Sequence, residues 1–289
     1  MRPLDETRIA ATAGLPVEDR RLECAGVTTA VLVGGEGPPV VLLHGPVANA
    51  LHWRRVIPAL AETHRVVAPD LPGQGATAAT ASGTAADVIA WLDALVEQTC
   101  DTRPALVGVT LGGAVAACFA AEHGDRLDSL VLVDTLGLTS FAPAPRFGAA
   151  LNAFLARPDG ATYDDLWRVC TFDLDPLRDA MGARWGALRR YTLELLEEPD
   201  AMRGLGALME AFALRPIPAE QLARIAVPTA LVWGRQDLAT TLAVAQAASA
   251  RYGWRLHVID DCADEPPLER PEAFLAVLAE AIDRMEVTR

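Results

Sequence analysis

The side chains able to do chemistry fall in four short stretches of the chain. They are His44-Gly45, Gly108-Val109-Thr110-Leu111-Gly112-Gly113, Gly234-Arg235-Gln236-Asp237, and the segment Asp261–Arg270, whose acidic run includes Asp264 and Glu265. A threonine hydroxyl such as that of Thr110 attacks only when a base takes its proton. Two carboxylates held in one small pocket cannot both ionise cheaply, so a pair such as Asp237 and Asp264 could keep a proton at neutral pH and act as acid and base. The alternatives are a plain polar role for Thr110 and a solvated loop position for Asp264. None of the five histidines follows His257, and no His or carboxylate spacing suggests a metal site. His123, at a predicted helix C-terminus, is explained by the helix dipole alone.

Alternating strand-like and helix-like segments must position these residues. Leu22–Cys24 and Val27–Val33 read as a hairpin. Val40–Leu43, Arg65–Ala68, Ala105–Val109, Leu130–Val133, Thr229–Trp233 and Arg255–Ile259 read as further strands. Unbroken apolar runs among them suit strands buried on both faces. Helices are predicted over Ala50–Ala61, Thr84–Gln98, Leu111–Glu122, Thr241–Tyr252 and Pro271–Met285. This is an α/β pattern with a mostly parallel sheet. Between Leu138 and Ile217 only helices are predicted, broken at Pro158, Gly160, Pro176, Gly182, Pro199 and Pro216. The expected division is a core of residues 1–137 and 218–289 with a helical cap at 138–217. All four chemical stretches then fall at strand ends, where open α/β sheets place their sites.

Composition removes several functions. The 289 residues carry 25 Lys+Arg against 38 Asp+Glu, a net charge of −13. That balance disfavours binding to nucleic acid or to anionic lipid. All 25 basic residues are arginine, which excludes a P-loop lysine and Schiff-base chemistry. Gly108–Gly113 lacks the G-x-G-x-x-G spacing of a dinucleotide site. Five cysteines with no C-x-x-C pair suggest reduced thiols. No signal peptide and no membrane-length apolar run are visible. The expectation is a cytoplasmic protein that needs no cofactor and takes a small-molecule ligand, with its oligomeric state open.

The order His-Gly, Asp70-Leu-Pro-Gly-Gln-Gly75, Gly-x-nucleophile-x-Gly-Gly, Trp233-Gly-x-x-Asp237 and Glu269-Arg270-Pro271-Glu272 resembles the α/β-hydrolase superfamily over nearly the whole chain. The resemblance implies a nucleophile on a sharp strand-to-helix turn, a histidine base and an orienting acid. These positions fall on Thr110, Asp264 and Asp237. Thr110 stands where serine is usual, and Asp264 stands where the base histidine is usual. His44 and Asp70 are implied to be structural. His44, Gly45, Pro46, Val109 and Leu111 are implied to surround the oxyanion pocket. Leu111 would supply one N–H to it, whereas Pro46, at the other donor position, has none. Loss of one such donor costs about 10²–10³ in rate. A β-branched residue is also disfavoured at a turn that requires positive φ.

A small-ester hydrolase with an altered catalytic set is therefore expected, one for which an ordinary acyl-enzyme route is improbable. The other two readings are a non-hydrolytic acid–base enzyme using Asp237 and Asp264, and a ligand-binding protein without turnover.

Overall fold

The computed structural model describes residues 3–198 and 200–286. The breaker Pro199 lies outside the described residues. A helix not foreseen in the sequence, α1 (Pro3–Thr12), precedes the hairpin β1 (Glu18–Cys24) and β2 (Val27–Gly34). Then follow β3 (Pro39–Leu43), α2 (Ile57–Leu60), β4 (Arg65–Pro69), α3 (Ala85–Thr99), β5 (Ala105–Val109), α4 (Leu111–His123) and β6 (Ser129–Val133). The eight strands, completed by β7 (Thr229–Gly234) and β8 (Arg255–Ile259), form one sheet in the order β1-β2-β4-β3-β5-β6-β7-β8. It is antiparallel at β1–β2 and β2–β4 and parallel from β4 onward. Strands β3, β5 and β6 are buried along their full length, as their continuous apolar sequences require of strands covered on both faces.

Six helices connect β6 to β7: α5 (Pro145–Ala156), α6 (Gly160–Cys170), α7 (Leu174–Met181), α8 (Ala183–Leu196), α9 (Ala201–Phe212) and the short α10 (Ala219–Leu222). Among the described residues α11 (Leu242–Tyr252), α12 (Pro266–Glu269) and α13 (Pro271–Glu286) follow. One face of the sheet packs on α3 and α4 through Trp91, Leu92 and Phe119. The other packs on Trp53, Phe274 and Leu278, and that core runs on into Phe154, Tyr163, Trp167 and Trp185 of the inserted helices. The insertion is therefore bound to the sheet by shared apolar packing, the dominant favourable contribution to folding.

The single helix expected over Ala50–Ala61 is two short turns instead, a 3-10 turn at Ala50–Trp53 and α2. Asn49 caps the first turn by accepting from Leu51 N at 3.0 Å. Pro58, which has no N–H to donate, sits in the first turn of α2. By contrast α3 begins where expected. Its Thr84–Asp87 capping box satisfies two orphan N–H groups reciprocally.

Helix α1 is anchored by Arg8, which is 2% exposed. Its guanidinium donates to Asp70 Oδ2 at 2.6 Å, to the Tyr191 hydroxyl of α8 at 3.0 Å, and to both Asp19 oxygens. Asp70 also accepts from Ala50 N at 2.7 Å and Ala76 N at 2.8 Å. It thus closes its own Asp-Leu-Pro-Gly-Gln-Gly loop and ties α1, the loop and α8 together. Burial alone would raise its carboxyl, but Arg8 and these donors hold it below the ordinary carboxylate range.

Candidate active site

Thr110 lies between β5 and α4, capping the start of α4, with φ 47° and ψ −106°. The sharp turn survives the β-branched side chain. Three backbone bonds hold it: Thr110 N to Val133 O at 2.8 Å, and Leu136 N and Ala114 N to Thr110 O at 3.1 and 3.2 Å. Two glycines make the room. A Cβ on Gly45 would lie 2.3 Å from Thr110 Oγ1, and one on Gly108 would lie 2.3 Å from Gly112 O. Strain of this kind costs on the order of 1–3 kcal/mol. Thr110→Gly is accordingly expected to stabilise the fold by about 1 kcal/mol, since the strain relieved exceeds the extra entropy that glycine loses. Urea unfolding of the variant beside the parent protein checks this.

His44 is fully buried behind the turn. Its Nε2 accepts from Leu71 N at 2.9 Å, so Nδ1 carries the proton and donates to Gly45 O at 2.8 Å. Burial lowers its pKa to about 4. With both nitrogens bound to backbone, this imidazole braces two loops and has no proton to exchange with a ligand. Gly45, Val109 and Leu111 likewise lie behind the cavity surface, while Pro46, Thr110 and Asp264 line it.

That cavity measures about 140 Å³. It lies between the strand ends and the inserted helices, under Phe154, Tyr163, Leu166 and Trp167. His52 and Glu265 also line it, with Nδ1 of His52 3.5 Å from Glu265 Oε1. The His52 ring lies 5.6 Å from that of Trp167. Thr110 Oγ1 has no hydrogen-bond partner among the described residues. No imidazole therefore bonds the hydroxyl on the sharp turn.

Asp264 is buried, 6% exposed, and not the solvated loop residue of the alternative reading. Its N–H donates to Cys170 O at the end of α6. Glu269 shapes this loop by accepting from Ala263 N at 2.8 Å and from Phe172 N at 2.6 Å. Burial pushes Glu269 up to about 7. Asp237 lies next to Asp264, behind the cavity surface. Its Oδ1 accepts from Ala239 N at 2.7 Å and Thr240 N at 3.0 Å.

Sequence reasoning missed a third carboxylate. Asp134 follows β6, is fully buried at φ 41°, and accepts from Gly234 N at 3.0 Å through Oδ1. It lies beside Asp237, close enough for each carboxyl to feel the other's charge. Oδ2 of each has no hydrogen-bond partner among the described residues. Burial pushes Asp237 up to about 7, and raises Asp134 and Asp264 well above the usual carboxylate range, with mutual repulsion adding to both. The available signal was its place: the polar residue right after a buried strand, at the same sheet edge as Thr110 and Asp237.

A carboxyl whose pKa is raised by folding binds its proton more tightly in the folded state. Stability then falls as pH climbs from the unfolded value, about 4, through the folded one. Asn at position 134 can keep the Gly234 bond and donate to Asp237 without a titrating proton. Asp134→Asn is therefore expected to leave stability at pH 4 nearly unchanged. At pH 8 it should raise the folding constant at least tenfold, about 1.4 kcal/mol. Denaturant unfolding at the two pH values tests this.

Among the described residues no cluster of His, Cys, Asp and Glu could hold a metal ion, and no helix is long and apolar enough to cross a membrane.

Comparison with known proteins agrees with this architecture. A pimeloyl-[acyl-carrier protein] methyl ester esterase of Aeromonas hydrophila is 29% identical over 255 residues, covering 84% of this chain and 95% of that protein. The 2-hydroxy-6-oxononadienedioate/2-hydroxy-6-oxononatrienedioate hydrolase of Escherichia coli K12 is 28% identical, over 81% of this chain and 83% of the relative. Among solved structures, 2-hydroxy-6-oxo-6-phenylhexa-2,4-dienoate hydrolase from Rhodococcus sp. strain RHA1 superposes with a TM-score of 0.80 at 27% identity, covering 93% and 99% of the two chains. The sequence family described by the alpha/beta hydrolase fold matches residues 38–271, and with the sheet order and the sharp turn at Thr110 already in place, the chain belongs to that family.

Proposed function

We propose that the protein hydrolyses small, largely apolar ester-like carbonyl compounds, with Asp264 as the acid–base group and without an acyl-enzyme at Thr110. The observation that carries this is the meeting of Asp264 and Thr110 in one largely apolar cavity where no imidazole bonds the hydroxyl. The relatives named above are an esterase and hydrolases of carbonyl compounds, which supports the substrate class. The inserted helices serve as the cap that closes the cavity.

In this reading ionised Asp264 takes a proton from a water as that water attacks the carbonyl carbon. The resulting carboxylic acid then returns the proton to the departing alcohol oxygen, restoring the carboxylate. A pKa moved toward neutrality suits both halves of that cycle. Asp237 and Asp134 hold negative charge and a shared proton behind Asp264, keeping it basic when ionised. Pro46, which has no N–H, lines the cavity where a donor would stabilise the oxyanion, so modest turnover is expected.

The test is a panel of small methyl and phenyl esters together with a fluorophosphonate probe. Turnover that survives Thr110→Ala to within tenfold, with no label on Thr110, supports the reading. Labelling of Thr110, or complete loss of turnover in Thr110→Ala, refutes it. A second reading, ligand binding without turnover, is favoured by the unpartnered Thr110 Oγ1 and by Pro46. Absence of hydrolysis across the panel, with a co-purifying molecule unchanged on incubation, would establish it.

A further inference from the structure

The cavity at Thr110 is too small for most metabolites. Ligand pockets commonly enclose roughly 300–1,000 Å³, whereas an apolar cavity of about 150 Å³ accommodates benzene. At about 140 Å³ the space over Asp264 holds one ring-sized apolar group. A second concavity of about 460 Å³ adjoins it.

Two features show that the chambers are neighbours. Val47 lines both, at a strained φ of 54°. Helix α9 runs past both: Ala201 faces the groove, while Leu205 and Met209 face the cavity.

The groove's chemistry differs from the cavity's. One wall is the loop from Gly73 to Ala79, small side chains with Gln74 and Thr77 among them. The other is α8, with Thr192 and Leu195. Both arginines present are already paired, Arg8 with Asp70 and Asp19, Arg21 with Asp19. Glu198 and Asp200 stand on the same lining. Such a wall offers hydrogen bonds and no surplus positive charge, so an anionic group gains nothing there, whereas hydroxyl or amide groups do.

We infer that the ligand has two parts: a ring-sized apolar group in the cavity beside Asp264 and an uncharged, hydrogen-bonding extension lying past Val47 in the groove between the Gly73–Ala79 loop and α8. This rests on the cavity being the reacting site, as proposed above, and adds the substrate class.

The test is an NMR titration of the intact protein with three probes: benzyl alcohol, benzyl β-glucoside and benzyl phosphate. Benzyl β-glucoside is expected to bind at least tenfold more tightly than benzyl alcohol, and benzyl phosphate no more tightly than the alcohol. Two variants that fill the groove, Ala201→Trp and the exposed Ala78→Trp, are expected to erase the glucoside's advantage while leaving benzyl alcohol affinity unchanged. Equal binding of glucoside and alcohol, a preference for phosphate, or an advantage that survives both variants overturns the groove assignment alone. Failure of benzyl alcohol to perturb Thr110 and Trp167 resonances overturns the cavity reading, and the two-part ligand with it.

Discussion

Replacement of Arg8 by alanine is expected to destabilise the protein by about 3–5 kcal/mol, the cost of leaving a buried charge without its partner. Asp70 is fully buried, and Arg8 is the cation bound to it, at 2.6 Å. The same guanidinium reaches Asp19 and the Tyr191 hydroxyl, so its loss also frees α1 from the Asp70 loop and α8. The sign with pH follows from Asp70, whose carboxyl lies below its ordinary range. A carboxyl lowered by folding contributes stability that is present above its unfolded pKa, about 4, and is lost as pH falls through the folded value. The parent protein should therefore lose this contribution in acid, while Arg8→Ala shows a flatter curve and converges on the parent at low pH. Urea unfolding from pH 3 to 8 measures both. The pair Arg8→Met with Asp70→Asn should recover much of the loss, because no uncompensated charge remains. An Arg8→Ala protein within 1 kcal/mol of the parent at pH 7 would show that Asp19 and the backbone donors hold Asp70 without it.

The largest effect on turnover is expected at Asp264. Asp264→Asn keeps the shape and the cavity wall but can neither take nor return a proton, and should lower kcat/KM by about 10²–10⁴. Burial raises the carboxyl well above its usual range, with Asp237, Glu265 and Glu269 adding repulsion. In the proposed mechanism its ionised form is the base, so kcat/KM of the parent should rise with pH above the usual carboxylate range and then level. Asp237→Asn removes one repelling charge, so the rise should move to lower pH. An Asp264→Asn enzyme with parental rates, or a profile indifferent to Asp237→Asn, would remove the carboxylate from the mechanism. Conversely, a rate that fell with pH would mean that the protonated form is the reactive one.

Much of the architecture was legible because its signals are local. Apolar runs such as Val40–Leu43 and Ala105–Val109 specify strands covered on both faces. The capping box at Thr84 and Asp87 marks a helix start, and the glycines around Thr110 mark a turn that tolerates little else. The break within Ala50–Ala61 was less legible: Pro58 has no N–H to give the Arg54 carbonyl that a continuous helix would pair with it, and the chain restarts there as α2. Helix α1 was not legible either. Its weakly amphipathic sequence is held by Arg8 reaching residues 11, 62 and 183 positions away.

The site divides the same way. The types and order of residues along the chain determined that Thr110, Asp237 and Asp264 would meet at one sheet edge, because parallel strands carry their C-terminal ends to one side. They also determined that no histidine follows β8 to serve as a base. Only the tertiary structure decided that Asp264 is buried and faces the cavity, that His44 has both nitrogens engaged by backbone, and that Asp134 lies beside Asp237. The physical reason is that proton affinity depends on burial and on neighbours brought together from distant segments, and neither quantity is carried by the residues one at a time.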